Sequence, residues 1–79
     1  MEQETLAETI KNQIRDRRAK RNMTLGQLGI KIGAAPTVIW QWEQGRHSPS
    51  IWYMVRLSEV FGCSVDELIG RDSDGKGRV

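Results

Sequence analysis

The sequence has one cysteine, Cys63, one histidine, and no apolar run close to the roughly 18 residues that span a membrane. A single cysteine excludes an intramolecular disulfide and a cysteine-rich zinc site, and it favours a reduced, cytosolic compartment. The first ten residues are acidic and polar, unlike the basic and then apolar start of a signal peptide. We therefore expect a cytoplasmic protein without a membrane segment, a metal or a cofactor.

Catalytic motifs are scarce as well. The chain has no phosphate-cradling glycine loop and no serine–histidine–aspartate set at recognisable spacing. Its 79 residues suit one small domain, in which an enclosed catalytic pocket is hard to build. We expect a protein that is not an enzyme.

The charge is unevenly distributed along the chain. The net charge is only +2, but residues 11–22 carry six basic side chains against Asp16 alone. The basic side chains of this segment are Lys11, Arg15, Arg17, Arg18, Lys20 and Arg21. Such a segment suits a polyanionic partner, and it is equally typical of a solvated helix face.

The pattern is helical throughout, since no alternating run of β-branched residues is long enough for a strand. Helices are predicted from Thr5 to Arg21, between Thr24 and Gly33, from Pro36 to Gly45, between Ser50 and Gly62, and from Val65 to Ile69. Residues 1–9 form an acidic extension and the start of the first helix, 10–70 the domain, and 71–79 a glycine- and charge-rich tail predicted to be disordered.

Local signals mark the helix ends. Thr24 is a good N-cap, and Gln27 lies where its side chain reaches back to complete a capping box. Apolar residues recur on one face of the first two helices, and the fourth helix is rich in them. These residues are Leu6, Ile10 and Ile14, then Leu25, Leu28 and Ile32, and then Ile51, Met54, Val55, Leu57, Val60 and Phe61.

The third helix carries two tryptophans, Trp40 and Trp42, which point about 200° apart and cannot share one small core. With Ile39 as the inward reference, Ala35 and Trp42 fall on the core side, and Trp40 falls at the border of the exposed side. We therefore expect this helix to bury Ala35, Ile39 and Trp42.

The opposite side of the same helix presents Thr37, Gln41 and Gln44. Threonine and glutamine carry neutral hydrogen-bonding groups suited to base edges in the major groove of DNA. They are also ordinary surface residues. A brief turn around Gly33 joins this helix to the one before it, which is the signature of a helix-turn-helix unit.

An ordered set of motifs extends this pattern. The set is Ile14 and Arg18, then Thr24, Leu28 and Gly33, then Ile39-x-x-Trp42-Glu43-x-Gly45-Arg46-x-x-Pro49, and finally Phe61-Gly62-x-Ser64-x-Asp66-x-Leu68. Over about residues 10–70 the chain resembles the DNA-binding domain of the Cro and phage-repressor type. The resemblance implies an all-α, five-helix, lambda-repressor-like fold that binds double-stranded DNA, usually as a dimer, with its third helix in the major groove. It also implies an ion pair between Arg18 and Glu43.

The hypothesis that follows is a sequence-specific transcriptional regulator, in particular a repressor. The predicted base-reading residues are Pro36, Thr37, Trp40, Gln41 and Gln44, and the predicted phosphate contacts are Thr24, Gln27, Arg46, His47 and Ser48. Trp40 either packs against sugar or a thymine methyl or covers the rim of the core. Lys11, Arg15 and Arg21 add long-range attraction.

Two further aromatic residues, Trp52 and Tyr53, are predicted to be exposed and to form the contact between two copies of the chain. Together with Trp40, the same exposed aromatics suit an alternative function, a protein-interaction module such as an antitoxin-like partner, in which DNA binding is secondary or lost.

The chain departs from the family's pattern at several positions. Ala35 stands where a serine or threonine usually caps the third helix. Gly26 replaces a polar residue and Gly29 replaces an alanine, and each glycine is expected to weaken the second helix by roughly 1 kcal/mol relative to alanine.

Overall fold

The computed structural model describes residues 5–71. This part of the chain forms five helices and no strand: α1 (Leu6–Lys20), α2 (Leu25–Ile32), α3 (Pro36–Glu43), α4 (Ile51–Phe61) and α5 (Val65–Leu68). The predicted all-α, five-helix fold is confirmed. The tail predicted to be disordered lies, apart from its first residue, outside the described residues.

Short polar side chains set where the helices begin. The hydroxyl oxygen of Thr24 accepts a hydrogen bond from the backbone N–H of Gln27 at 3.0 Å, and the Gln27 side-chain oxygen accepts from the Thr24 N–H at 2.8 Å. Thr5 and Ser64 form equivalent capping boxes at α1 and α5, and Ser50 caps α4. The predicted capping box of α2 is confirmed.

All five helices contribute to one core. Its fully or almost fully buried apolar residues are Ile10, Ile14, Leu28, Ile32, Ile39, Trp42, Met54, Leu57, Phe61 and Leu68. Ile39 and Trp42 fix the inner side of α3 against the other helices, which leaves its outer side to solvent. Burial of this common core is the main stabilising term available to so small a domain.

Ala35 is exposed, so the prediction that it is buried with Ile39 and Trp42 is wrong. Ala35 is the N-cap of α3, with an extended backbone (φ −69°, ψ 147°). The rotation of about 100° per residue in a helix therefore does not predict where its side chain points. Ala34 packs against the core in its place. The apolar residues Leu6, Ile51 and Val55 also remain exposed, because α1 and α4 each bury one face only.

The turn between α2 and α3 packs closely against α2 at Gly29. The carbonyl oxygen of Gly29 accepts hydrogen bonds from the N–H groups of Gly33 (2.7 Å) and Ala34 (3.0 Å), and Gly33 takes a left-handed φ of 79°. A methyl group on Gly29 would overlap the backbone oxygen of Ala34. The missing side chain of Gly29 therefore lets the turn approach α2. Gly29 stabilises this turn, in addition to its low helix propensity.

The two glycines of α2 are expected to respond oppositely to substitution by alanine. Gly26→Ala meets only the Thr24 hydroxyl at 3.8 Å and is expected to raise the free energy of unfolding by about 0.5–1 kcal/mol. Gly29→Ala forces backbone to move and is expected to lower it by about 1–3 kcal/mol. Urea titration of both variants beside the unchanged protein measures the difference. Equal stabilisation by both would show that the close turn relaxes without cost.

Candidate nucleic-acid interface

The two sides of α3 differ sharply in burial. Ile39 is 0% exposed and Trp42 is 4% exposed, whereas Trp40 is 43% exposed. Thr37 is exposed on the outer side and Gln41 is half-buried at its edge. The two tryptophans therefore face opposite ways, as the helical angles predict, and polar groups are left available on the outside of the helix.

The remaining predicted base-reading residues lie at the two ends of this face. Pro36 begins α3 and Gln44 follows its last residue, and both side chains are exposed. The structure thus brings all five predicted base-reading residues onto one exposed helix and its immediate ends.

A two-pronged ion pair holds the end of α3. Arg18 donates from Nε to Oε2 of Glu43 at 2.6 Å and from Nη2 to Oε1 at 2.9 Å. Its Nη1 donates to the carbonyl oxygen of Met23 at 2.8 Å. The hydrogen bond that Arg18 donates to Glu43 raises the pKa of Arg18, against the opposing effect of burial. One guanidinium therefore fixes α3 to α1 and to the segment before α2.

Other arginines of the basic segment also have structural contacts. Arg17 donates to the side-chain oxygen of Gln13 at 2.9 Å. Arg21 donates to the carbonyl oxygen of Phe61 at 2.5 Å and lies 5.2 Å from the centre of that ring. Arg21 thereby closes the C-terminal end of α4, a contact that its position in the sequence does not reveal. The segment is therefore not one continuous surface of free positive charge.

The loop after α3 contains three of the residues that are predicted to contact DNA phosphates. Gly45 turns the chain with a φ of 78°, and the backbone N–H of Arg46 donates to the carbonyl oxygen of Gln41 at 3.0 Å. The side chains of Arg46, His47 and Ser48 are exposed. The three residues lie together at the C-terminal end of α3, where a polyanion along that helix would meet them.

Thr24 and Gln27 lie at the start of α2. Their capping box uses the hydroxyl oxygen of Thr24 and the side-chain oxygen of Gln27. Because Gln27 is exposed and its amide N–H groups are not needed for the cap, it keeps two donors for an outside anion.

Residues of α4 support the turn between α2 and α3, which sequence reasoning missed. The Tyr53 hydroxyl donates to the carbonyl oxygen of Gly33 at 3.3 Å, and Arg56 Nε donates to that of Ile32 at 3.1 Å. The Tyr53 ring also lies 5.2 Å from Trp42. Tyr53 is therefore half-buried and engaged within the chain, which corrects the prediction that it is an exposed aromatic. The two hydrogen bonds join residues 20 and 24 positions apart, so no local pattern in the sequence predicts them.

Residues 5–71 contain no group of three or more potential ligands that could hold a metal ion. None of the helices described is long and apolar enough to cross a membrane. Burial raises the pKa of the half-buried Cys63 thiol, which keeps it in the less reactive protonated form.

Several known proteins are similar to this chain in sequence or in fold. Residues 14–68 match the helix-turn-helix family. An uncharacterized helix-turn-helix transcriptional regulator of Archaeoglobus fulgidus is 29% identical over 65 residues, covering 82% of this chain and 93% of the relative. A regulator of the same description from Methanocaldococcus jannaschii is 26% identical over 65 residues, covering 82% and 98%.

A solved structure agrees with the sequence match. The P22 c2 repressor, crystallised with a synthetic operator, superposes with a TM-score of 0.75 at 32% identity, covering 80% of this chain and 96% of the repressor chain. Since the family match spans most of the chain and includes α2, α3 and the turn between them, this chain belongs to the Cro and phage-repressor type of helix-turn-helix DNA-binding domains.

Proposed function

We propose that this chain is a sequence-specific regulator of transcription, a repressor, which inserts α3 into the major groove of double-stranded DNA. The observation that carries the proposal is the exposed polar side of α3 above a firmly buried inner side. An α-helix is 10–12 Å across with its side chains and fits the roughly 12 Å wide major groove. The P22 c2 repressor, which was solved with an operator, supports this function by its similarity.

The outer side of α3 offers two main base readers. Gln41 has a donor and an acceptor on one amide group, which suits a two-pronged contact with adenine. Thr37 lies one helical turn earlier on the same side and combines a hydroxyl with a methyl group. Pro36 has no N–H to donate and contributes shape or a contact with a thymine methyl, and Gln44 reaches the edge of the site.

Contacts to the DNA backbone flank these readers at both ends. No side chain caps the start of α3. Pro36 has no N–H and the Val38 N–H donates to the carbonyl oxygen of Ala35 at 3.0 Å, which leaves the Thr37 N–H to a phosphate. Thr24 and Gln27 lie at the start of α2. Arg46, His47 and Ser48 lie after α3 and add charged and neutral donors. These contacts would fix the register of the helix without reading sequence.

A second copy of the chain would pack against the exposed side of α4. Trp52 is 55% exposed there, beside Ile51 at 70% and Val55 at 43%. The Tyr53 ring supports Trp52 edge-on, with ring centres 4.8 Å apart. A homodimer would read two half-sites about one helical turn of DNA apart. Such a regulator would act in the cytoplasm, the reducing compartment that a single free cysteine favours. An unrelated protein bound at this side would instead favour the interaction module.

Selection from a randomised duplex pool tests the function. We expect enrichment of a palindrome, with affinity that falls steeply as salt rises. Gln41→Ala is expected to relax preference at one base pair by about 1–3 kcal/mol, whereas Arg46→Ala weakens binding to all duplexes alike. Failure to enrich any duplex, together with a tight protein partner, would overturn the regulator in favour of the interaction module.

A further inference from the structure

An arginine in the loop after α3 lies over the ring of a tryptophan of that helix. The Arg46 guanidinium carbon lies 5.5 Å from the centre of the Trp40 ring, within the range of a cation–π contact. Trp40 is 43% exposed, and the face of its ring lies under the Arg46 guanidinium. A planar guanidinium on a rigid ring keeps its donors oriented, which lowers the entropy lost when it binds an anion.

Helix α1 brings a second cation to the same corner. The Lys11 side chain passes close to Gly45, where a methyl group would lie 3.2 Å from Lys11 Cδ. Lys11 is half-buried, and Gly45 is the residue directly before Arg46. The contact between α1 and the end of α3 therefore places the stem of Lys11 against the loop that carries Arg46.

Within residues 5–71, neither Lys11 nor Arg46 forms an ion pair with a carboxylate. The ion pairs of that part of the chain join Arg15 to Asp16 and Arg18 to Glu43. The acidic residue closest to Arg46 in sequence, Glu43, is thus already occupied. A lysine and an arginine on adjoining segments, neither of them in an ion pair, are both available to an anion.

We propose that Lys11, Trp40 and Arg46 form a clamp for one stretch of DNA backbone phosphate, in which Trp40 is a positioning residue for Arg46 and not a base reader. This inference rests on the proposed DNA-binding function. Arg46 supplies a two-pronged donor to a phosphate, and Lys11 supplies a point charge to the same or the adjacent phosphate. The clamp connects α1 to the affinity for DNA.

The first test measures the ionic contacts that each side chain makes with DNA. The affinity for the duplex that the unchanged protein selects is measured over a series of salt concentrations. Lys11→Ala and Arg46→Ala are each expected to reduce the slope of log affinity against log salt by about 1. Lys20→Ala is the matched control, because Lys20 is an exposed lysine of α1 about 13 Å further along the helix. Its slope is expected to stay unchanged. Equal slopes for Lys11→Ala and Lys20→Ala would overturn the clamp while the function stands.

The second test separates positioning from base reading at Trp40. Trp40→Leu is expected to weaken binding about two- to fivefold on every duplex, and Trp40→Phe, which keeps a ring, to lose less. In a chain that already carries Arg46→Ala, Trp40→Leu is expected to have no further effect. A change of preference at one base pair, or an undiminished loss in that background, would overturn the positioning role.

Two controls complete the design. Far-ultraviolet circular dichroism of each variant checks that the helices are intact, as expected for partly exposed side chains. If the unchanged protein enriches no duplex, the proposed function and the clamp both fail. If it enriches a palindrome and the Lys11 and Trp40 variants bind like the unchanged protein, the clamp alone fails.

Discussion

Replacing Glu43 by alanine is expected to lower the free energy of unfolding by about 3–5 kcal/mol. The Glu43 side chain is 5% exposed and accepts two hydrogen bonds from Arg18, whose side chain is 20% exposed. Removing the carboxylate leaves a largely buried guanidinium without its counter-charge. Because small domains are stable by only about 5–15 kcal/mol, the variant is expected to be substantially unfolded well below the melting temperature of the unchanged protein.

Urea and thermal unfolding followed by circular dichroism measure this loss. Asp16→Ala is the control, because Asp16 pairs with Arg15 at 3.5 Å on the surface, with side chains 60% and 50% exposed. It is expected to change stability by less than about 1 kcal/mol. A Glu43→Ala variant as stable as Asp16→Ala would show that the ion pair contributes no more than a surface contact.

The Arg18–Glu43 contact is not expected to weaken through Arg18 near neutral pH. Its hydrogen bond to Glu43 raises the pKa of Arg18 above an already high ordinary value. A raised pKa gives stability that is fully present below the pKa of the unfolded chain and is lost only as pH rises through that of the folded chain. For arginine this window lies far above neutrality.

Ile39→Ala is expected to lower the free energy of unfolding by about 2–5 kcal/mol. Ile39 is 0% exposed and lies on the inner side of α3. Its Cδ1 atom comes within 3.6 Å of where a methyl group on Gly29 would lie, so it fills the space between α3 and α2. The substitution removes buried apolar area and leaves a cavity under the proposed recognition helix.

The neighbouring variant Val38→Ala is the matched control, since Val38 is 36% exposed on the same helix. It is expected to change stability by only about 0.5 kcal/mol. Chemical denaturation of both variants measures the difference, and DNA affinity measured well below the melting temperature reports how firmly α3 is oriented. Equal stability of the two variants would contradict the anchoring role of Ile39.

Sequence reasoning succeeded where the physical cause is local. The capping box of Thr24 and Gln27 spans three residues, and the left-handed turn at Gly33 depends on that residue having no side chain. Helical periodicity likewise predicts that Ile39 and Trp42 lie inside and Thr37 outside. These features depend on short-range geometry that any helix of this sequence would share.

Sequence reasoning was incomplete where the cause is a contact between distant segments. The prediction for Ala35 is wrong because helical angles were extended to a residue that lies before the helix. The cost assigned to Gly29 considered only helix propensity, whereas the close turn makes a glycine necessary there. The closing of α4 by Arg21 depends on how α1 and α4 meet.

By itself the sequence determined five helices, their ends, the inward and outward sides of the third helix, and the family to which the motifs belong. Hydrogen bonds across three or four residues and a period of 3.6 are sufficient for that. The tertiary structure alone decided which of several cations remain free, because packing occupies Arg18 and Arg21 and brings Lys11 beside Gly45. The sequence alone identifies every charged side chain. Whether that charge is available to a partner depends on which groups the fold places next to it.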